Sequence, residues 1–328
     1  MTANAFTQLV GCELPIQQAP IGFASARPQL AAAVAAAGGH GMLAAVAMPG
    51  DVLRDRLVTL NAATRAYGVN FIVPLLTADA LETAADNAPL IELYMGPADD
   101  AALVERARRG GALVCRQIVS AEEARAAEAT GCDVIVARGI EAGGRTTGGI
   151  GLLPLLDGVL DAVDIPVVAA GGIATPRGVA AVLAAGAAAA RVGTRFLVAD
   201  EAATHPVHAD AVLSAGDDDT TLTEAFSVGA PRMAHRVLVS ALAAADALDA
   251  EHAAEMTVNG VRAQVPRFSA HNPCDDATGH VEAMALYAGQ GAGAVRRREP
   301  ARAIVADLAR GVRDHEQVAS TAMQGSAR

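Results

Sequence analysis

Two short apolar runs that end in glycine, about one helix apart, constrain the fold of this chain more than any other feature. The first reads Val167-Val168-Ala169-Ala170-Gly171-Gly172, and the second reads Ala190-Arg191-Val192-Gly193-Thr194. This spacing is typical of consecutive parallel strands joined by a helix. Bare glycine backbone followed by a helix N-terminus binds anions such as phosphate. In an eight-stranded α/β barrel, such a phosphate site lies in the loops after strands seven and eight.

Six further apolar runs precede this pair, and helix-period segments separate them. We predict these strands at Leu14–Pro20, Met42–Val46, Gly68–Val73, Leu90–Tyr94, Leu113–Val119 and Val134–Val136. The count therefore reaches eight, and the sequence predicts an α/β fold of the (βα)8 TIM barrel class. A doubly wound open sheet is the alternative. Against it, no Gly-x-Gly-x-x-Gly motif opens the first helix, and the phosphate signal comes late in the chain.

The alternation of strands and helices stops after Phe196. Beyond it, one helix-period stretch at Arg236–Leu248 lies between segments rich in Asp, Thr, Pro and Gly. We therefore expect a barrel at residues 1–210, a small inserted and mainly helical lid subdomain at residues 211–280, and a return of the chain to the barrel at residues 281–328. An insertion after strand eight would overhang the active face and could act as a lid.

Composition narrows the range of functions. The 328 residues carry a formal net charge of −11, which argues against nucleic acid or an anionic membrane surface as a partner. No lysine occurs, so Schiff-base chemistry and a lysine-bearing nucleotide loop are excluded. The 4 cysteines lack metal-ligand spacing, so we predict no metal site. Without an apolar span or a signal segment, we expect a cytoplasmic protein that acts on a small molecule, with a homodimer left open as its assembly.

Six motifs, spread over nearly the whole chain, carry a family resemblance. In chain order they are Pro15-Ile16-Gln17-Gln18-Ala19-Pro20, Gly68-Val69-Asn70, Glu141-Ala142-Gly143-Gly144, Ala170-Gly171-Gly172-Ile173, Gly193-Thr194-Arg195-Phe196 and Tyr287-Ala288-Gly289-Gln290. Together they resemble the nitronate monooxygenase family, once called 2-nitropropane dioxygenases. The resemblance implies an FMN-binding barrel with a small lid. It also implies relatives that reduce enoyl thioesters or quinones with FMN.

The resemblance implies FMN as the cofactor, with NAD(P)H as an optional electron donor. Gly171, Gly172, Gly193 and Thr194 would hold the FMN phosphate, in agreement with the two glycine-ended strands. The other cofactor contacts that it implies are Ala19, Pro20, Ile21, Asn70, Gln117, Gly143, Gly144, Tyr287 and Gln290. Of these, Asn70 and Gln117 would lie near the flavin ring, where an amide can both donate and accept hydrogen bonds.

The position of the catalytic base departs from the family pattern. Relatives that oxidise nitronates usually carry histidine directly after Glu-Ala-Gly-Gly, and this chain carries Arg145. Arginine keeps its proton in proteins, so Arg145 cannot act as a base. It could attract an anion, since two unit charges about 4 Å apart gain on the order of 4 kcal/mol at an effective dielectric of 20. Alternatively it points to solvent from a glycine-rich loop. Among the histidines, we predict that His235 faces the flavin.

The sequence therefore predicts an FMN-dependent oxidoreductase that resembles nitronate monooxygenases and converts alkyl nitronates with O₂ by oxidative denitrification. A nitronate is already an anion, so its oxidation needs no base. The alternative within flavin enzymes is an NAD(P)H-dependent reductase of an enoyl thioester or a quinone. A flavin-free barrel that binds a phosphorylated metabolite at the same glycine site is a further alternative.

Overall fold

The computed structural model describes residues 4–326, so the outermost residues of the first and last predicted domains, 1–3 and 327–328, lie outside the described residues. In chain order the strands are Ile16–Gln18 (β1), Gly41–Ala44 (β2), Tyr67–Ile72 (β3), Leu90–Tyr94 (β4), Leu113–Ile118 (β5), Val134–Arg138 (β6), Gly144–Arg145 (β7), Val167–Ala170 (β8), Ala189–Val192 (β9), Thr220–Thr223 (β10), His235–Leu238 (β11), His252–Val258 (β12), Val261–Pro266 (β13) and Thr278–Gly279 (β14).

Eight of these strands form one parallel sheet that closes on itself. The order around the sheet is β1-β9-β8-β6-β5-β4-β3-β2. Closure takes place between β1 and the residue before β2, because Gln18 N–H donates to the His40 carbonyl at 3.0 Å and His40 N–H donates to the Ile16 carbonyl at 2.9 Å. The TIM barrel prediction is thereby confirmed, and each of the eight predicted runs contains a barrel strand or overlaps one.

Most of the helices lie around this sheet, whereas the first packs against the barrel interior and the eleventh lies in the inserted segment. They are Ala5–Val10 (α1), Pro28–Ala36 (α2), Gly50–Ala63 (α3), Ala78–Asn87 (α4), Ala101–Arg108 (α5), Ala121–Ala129 (α6), Leu152–Leu160 (α7), Pro176–Ala184 (α8), Thr194–Leu197 (α9), Pro206–Ser214 (α10), Val239–Ala247 (α11) and Ala301–Ser326 (α12). The last helix packs against α8 and α2, so the C-terminal segment completes the outer ring of the barrel.

The interior of the barrel is divided into an apolar and a polar layer. Phe6 of α1 is fully buried and packs with an apolar cluster that includes Met42, Leu90 and Val168. A hydrogen bond from Asn4 Nδ2 to the Ala188 carbonyl, at 2.6 Å, ties the start of α1 to the barrel. Nearer the carboxyl ends of the strands, the interior side chains are polar, as the site below shows. The floor of any cavity at that end is therefore built from hydrogen-bonding groups.

The inserted segment contains more strand than helix, so the expectation of a mainly helical subdomain is wrong. The predicted helix at 236–248 is split, because its first residues form β11 and only Val239–Ala247 is helical. Strands β12 and β13 form a hairpin across Asn259 and Gly260, which both have positive φ (50° and 87°). Asn-Gly is the preferred sequence for such a two-residue turn. This signal could have predicted the hairpin.

The insert is joined to the barrel by a second sheet. Strand β11 pairs with β10 on one side and with β7, which carries Arg145, on the other. The insert also has its own apolar core, which includes Phe226, Val237, Met256 and Val265. No helix within residues 4–326 has the length and apolarity that a membrane span requires. The division of the chain at residues 210 and 280 remains a prediction, which proteolysis can test.

We expect limited trypsin digestion to cut first after Arg232. Its side chain is 80% exposed and lies in a segment without helix or strand between β10 and β11, and such segments open more easily than packed helices. The measurement is mass spectrometry of the first fragments. Replacing Arg232 with Gln should remove the first cut. The predicted domain division would be wrong if the first cut fell within residues 27–130 of the barrel.

Candidate active site

A cavity of about 430 Å³ lies at the carboxyl ends of the barrel strands, between the barrel and the insert. Most of the predicted cofactor-contacting residues meet there. The cavity is lined by Ala19, Pro20, Ile21, Asn70, Gln117, Gly143, Gly144, Gly171, Gly172, Gly193, Thr194 and Tyr287 of that set, together with Arg145. Gly229 to Pro231, Met233, Val258 and Ala270 to Asn272 line it from the insert.

The glycine-ended strands present bare backbone to this cavity. Gly171 and Gly172 follow β8 with φ of 131° and 66°, conformations that residues with a Cβ rarely adopt. Gly193 follows β9 and precedes α9. The Thr194 hydroxyl oxygen accepts a hydrogen bond from Gly289 N–H at 2.9 Å, so its own hydrogen is free to donate. These groups offer hydrogen-bond donors at the position where a barrel of this kind holds phosphate.

The floor of the cavity consists of amides held by a buried ion pair. The Arg191 guanidinium pairs with the Glu92 carboxylate, and both side chains are buried in the barrel interior. Gln117 Oε1 accepts a hydrogen bond from Arg191 Nη1 at 3.1 Å, and Asn70 Nδ2 donates to Glu92 Oε1 at 2.8 Å. Sequence reasoning did not single out Glu92 or Arg191. Charged residues at interior positions of the apolar strands β4 and β9 are the signal that could have found them.

A positively charged region lies on the wall of the cavity. Arg145 lines the cavity; Nη2 donates to the Pro231 carbonyl, and Nη1 is buried with no hydrogen-bond partner among the described residues. Arg138 also lines it, with its guanidinium 5.8 Å from the centre of the Tyr94 ring and its Nη1 likewise buried without a partner. Tyr94 in turn donates to the Arg145 carbonyl at 2.7 Å. Arg145 is therefore half-buried, with Nη1 enclosed at the cavity wall, and its role stays a prediction.

Two of the predicted site residues lie outside the cavity lining. His235 is fully buried in β11, where Nε2 accepts from Phe226 N–H at 3.1 Å and Nδ1 lies 3.0 Å from the Met233 carbonyl. Both ring nitrogens are thus engaged and the imidazole is neutral, with a pKa that burial lowers. The structure does not place His235 in the cavity lining. The Gln290 side chain is exposed, and only its backbone N–H contacts the site region, at the Glu141 carbonyl.

Two histidines that were not selected from the sequence line the cavity instead. His208 is buried, with Nε2 3.1 Å from the Tyr287 carbonyl and Nδ1 without a partner among the described residues; burial lowers its pKa to about 4. His271 stacks on Phe23 at 5.5 Å, and its Nδ1 lies 2.7 Å from the Ser269 hydroxyl. A loop position in the sequence does not by itself indicate that His271 lines a cavity. The fold of the insert, which sequence periodicity does not reveal, places it at the cavity.

The residues present fit an FMN. The glycine site offers backbone N–H groups and one hydroxyl for a phosphate. On the floor, Gln117 has a free amide donor and Asn70 a free carbonyl acceptor, which complement the carbonyl oxygens and the N–H of a flavin pyrimidine ring. Apart from Arg138 and Arg145, the remaining wall is largely apolar, which suits a planar aromatic ring system.

Comparison with known proteins identifies relatives over most of the chain. The family model described as nitronate monooxygenase matches residues 3–95 and 81–311. A probable nitronate monooxygenase of Bacillus subtilis is 30% identical over 269 residues, which cover 68% of this chain and 77% of that protein. A Rhodococcus jostii protein named (3aS,4S,5R,7aS)-5-hydroxy-7a-methyl-1-oxo-octahydro-1H-indene-4-carboxyl-CoA dehydrogenase is 35% identical over 243 residues, 72% of this chain. The match spans 65% of that protein, just under two thirds of its length.

Solved structures show the same fold. Nitroalkane oxidase from Streptomyces ansochromogenes superposes with a TM-score of 0.75 and 31% sequence identity, covering 96% of this chain and 99% of its own. FabK from Thermotoga maritima superposes with a TM-score of 0.76 and 27% identity, covering 99% and 100%. Both matches extend over the barrel and the insert, since almost every residue of this chain is covered.

We predict that Gly193→Glu yields folded protein that does not retain FMN. Gly193 has a φ of −109°, which any residue can adopt, and an added Cβ would meet Ala19 and Ile21 at 3.4 and 3.8 Å, ordinary contact distances. The longer side chain would fill the phosphate space and repel the phosphate. The measurement is flavin absorbance after incubation with FMN and dialysis. As a control, Gly149→Glu, in an exposed position with open space around it, should retain FMN. Stoichiometric FMN in the Gly193 variant would place the phosphate site elsewhere.

Proposed function

Because this chain belongs to the nitronate monooxygenase family and is therefore an oxidoreductase, we propose that it uses FMN to oxidise alkyl nitronates with O₂. Members of the family are flavin-dependent in general. FMN supplies the electron-accepting and oxygen-reacting chemistry when it is bound. The chain supplies the phosphate site, the hydrogen-bonding floor and a cavity wall that selects the charge of the substrate.

The observation that carries this proposal is the charge of the wall. No Asp or Glu side chain lines the cavity within the described residues, whereas Arg138 and Arg145 each line it with a buried Nη1 that lacks a partner. A buried cationic donor without a partner is costly, and an anionic ligand would relieve that cost. Arg138 ends β6, the direct neighbour of β8, and its guanidinium reaches over the Tyr94 ring at the end of β4. The wall therefore favours an anionic ligand.

The substrate that this wall favours arrives already deprotonated. Arginine stabilises a carbanion-like nitronate by charge and hydrogen bonding but cannot remove a proton from carbon. Tyr287 also stays protonated, because burial raises its pKa to about 12 and its hydroxyl donates to the Ala270 carbonyl at 2.9 Å. Neither side chain can therefore serve as the base that a neutral nitroalkane would require.

A reductase of an enoyl thioester or quinone is the second candidate. The match to FabK over the whole chain, and the relative whose name specifies a CoA compound, favour it. In that reaction NADH or NADPH would deliver a hydride to FMN, and the protein would have to donate a proton to the product. Anaerobic addition of NADH or NADPH separates the two candidates, because only a reductase should lose its flavin absorbance rapidly with these donors.

We expect the wild-type enzyme to turn over preformed alkyl nitronates and to leave the neutral nitroalkanes essentially unchanged. Arg145→Ala should raise KM for the anion, because the guanidinium that attracts it is removed. Arg145→His should create activity on the neutral form, since general-base catalysis contributes roughly 10²- to 10⁴-fold. The measurement is the rate of oxygen consumption, compared between a freshly dissolved neutral nitroalkane and the same compound equilibrated beforehand to its nitronate.

The matched control is Arg232→Ala, which removes an exposed arginine near the cavity that pairs with Glu224. It should leave both activities unchanged. Efficient turnover of a neutral nitroalkane by the wild type, with a rate that depends on a group titrating at or below about 6.5, would contradict the assignment. It would point to His271 or His208, the histidines that line the cavity.

A further inference from the structure

Every nitrogen of the Arg191 guanidinium donates a hydrogen bond in the buried ion-pair network under the cavity. Arg191 is 2% exposed and Glu92 is 0% exposed. Arg191 Nη1 donates to Glu92 Oε1 at 3.0 Å, Nη2 donates to Glu92 Oε2, and Nε donates to Gln17 Oε1 at 2.7 Å. Because Nε and both Nη atoms have acceptors, the guanidinium is held in one orientation.

This orientation determines which end of each floor amide faces the cavity. Gln117 gives its carbonyl oxygen to Arg191, so its NH₂ group is left for the cavity. Asn70 gives its NH₂ group to Glu92, so its carbonyl oxygen is left. Both residues line the cavity, and neither remaining group has a hydrogen bond to another described residue. The floor therefore shows one donor and one acceptor in fixed places.

The far side of the network is locked in the same way. Gln17, whose oxygen is occupied by Arg191, has its Nε2 3.0 Å from His40 Nδ1. His40 is fully buried and burial lowers its pKa to about 3, so it is neutral and accepts at Nδ1. Glu92 is thus the single negative charge in the network and Arg191 the single positive one, and they cancel beneath the cavity.

We propose that Arg191 and Glu92 are positioning residues, which orient Gln117 and Asn70 toward the flavin pyrimidine ring. Through their balanced charges, the same two residues also set the affinity of the protein for reduced relative to oxidised FMN. This inference rests on the proposed function, since it takes FMN as the ligand. A buried ion pair is a weak stabiliser of a fold, because its desolvation cost often exceeds the attraction. Its effect on the cavity floor is direct.

The charge and the orientation have separable consequences. Removing the charge of Glu92 leaves Arg191 uncompensated near the ring, which should favour the electron-rich reduced cofactor. Removing the charge of Arg191 leaves a buried, unpaired carboxylate, which should disfavour the electron-rich reduced cofactor. Removing both charges restores balance, but neither amide is then held by an ion, so FMN affinity should fall.

The test compares wild type, Glu92→Gln, Arg191→Gln and the double variant, each loaded with FMN, by midpoint potential and by FMN dissociation constant. In Glu92→Gln we expect the affinity for reduced FMN, relative to oxidised FMN, to rise at least tenfold. This corresponds to a rise of about 30 mV in the midpoint potential of a two-electron couple. Arg191→Gln should shift the ratio at least tenfold the other way. The double variant should return toward the wild-type potential with a dissociation constant at least tenfold weaker. Circular dichroism checks folding.

Glu255→Gln is the matched control, since Glu255 pairs with Arg262 on the surface of the insert, with side chains 39% and 40% exposed. It should change neither quantity. The inference would be overturned if both folded, FMN-loaded single variants kept the wild-type midpoint potential, or if both potentials shifted in the same direction. Either result would leave the proposed function standing. If a single variant does not fold, the charge-balanced double variant decides, and wild-type FMN affinity in it would overturn the inference. Wild-type protein that stays colourless with added FMN would overturn the proposed function as well.

Discussion

The closure of the eight-stranded sheet between β1 and β2 is the constraint on which the rest of the structure depends. Parallel strands that close into a barrel must present all their carboxyl ends at one mouth. Residues far apart in sequence, such as Asn70, Gln117 and Gly193, therefore meet around one cavity. The closing contacts at His40 also anchor Gln17, which begins the hydrogen-bonded network beneath that cavity.

The distribution of charge around the cavity follows from which charged side chains lie near the carboxyl ends of the strands. The floor is electrically balanced, because Arg191 is paired with Glu92. The wall is not, because Arg138 and Arg145 meet only neutral carbonyl and aromatic groups among the described residues. The floor and the wall therefore have separate tasks. The neutral, directional floor would hold a flavin ring, and the cationic wall would draw an anionic substrate toward it.

Sequence periodicity was sufficient for the barrel, because its strands are short runs buried on both faces and amphipathic helices separate them. The glycine site was also accessible, since glycine at the ends of two successive strands has a specific backbone meaning. The insert was predicted poorly. Its short strands lack clear alternation, and the pairing of β7 with β11 joins segments about 90 residues apart, which no local pattern encodes. For the same reason His235 was favoured, whereas His208 and His271 were not.

In this structure the cavity is proposed to hold FMN and to admit the anionic conjugate base of a carbon acid. Anaerobic mixing of the FMN-loaded protein with a preformed alkyl nitronate, followed by visible absorbance, tests this most directly. We expect the oxidised flavin absorbance to be lost with the nitronate and to stay unchanged with the neutral nitroalkane over the same time. Absorbance that is unchanged by the nitronate but lost on addition of NADH or NADPH would contradict it and establish the reductase instead.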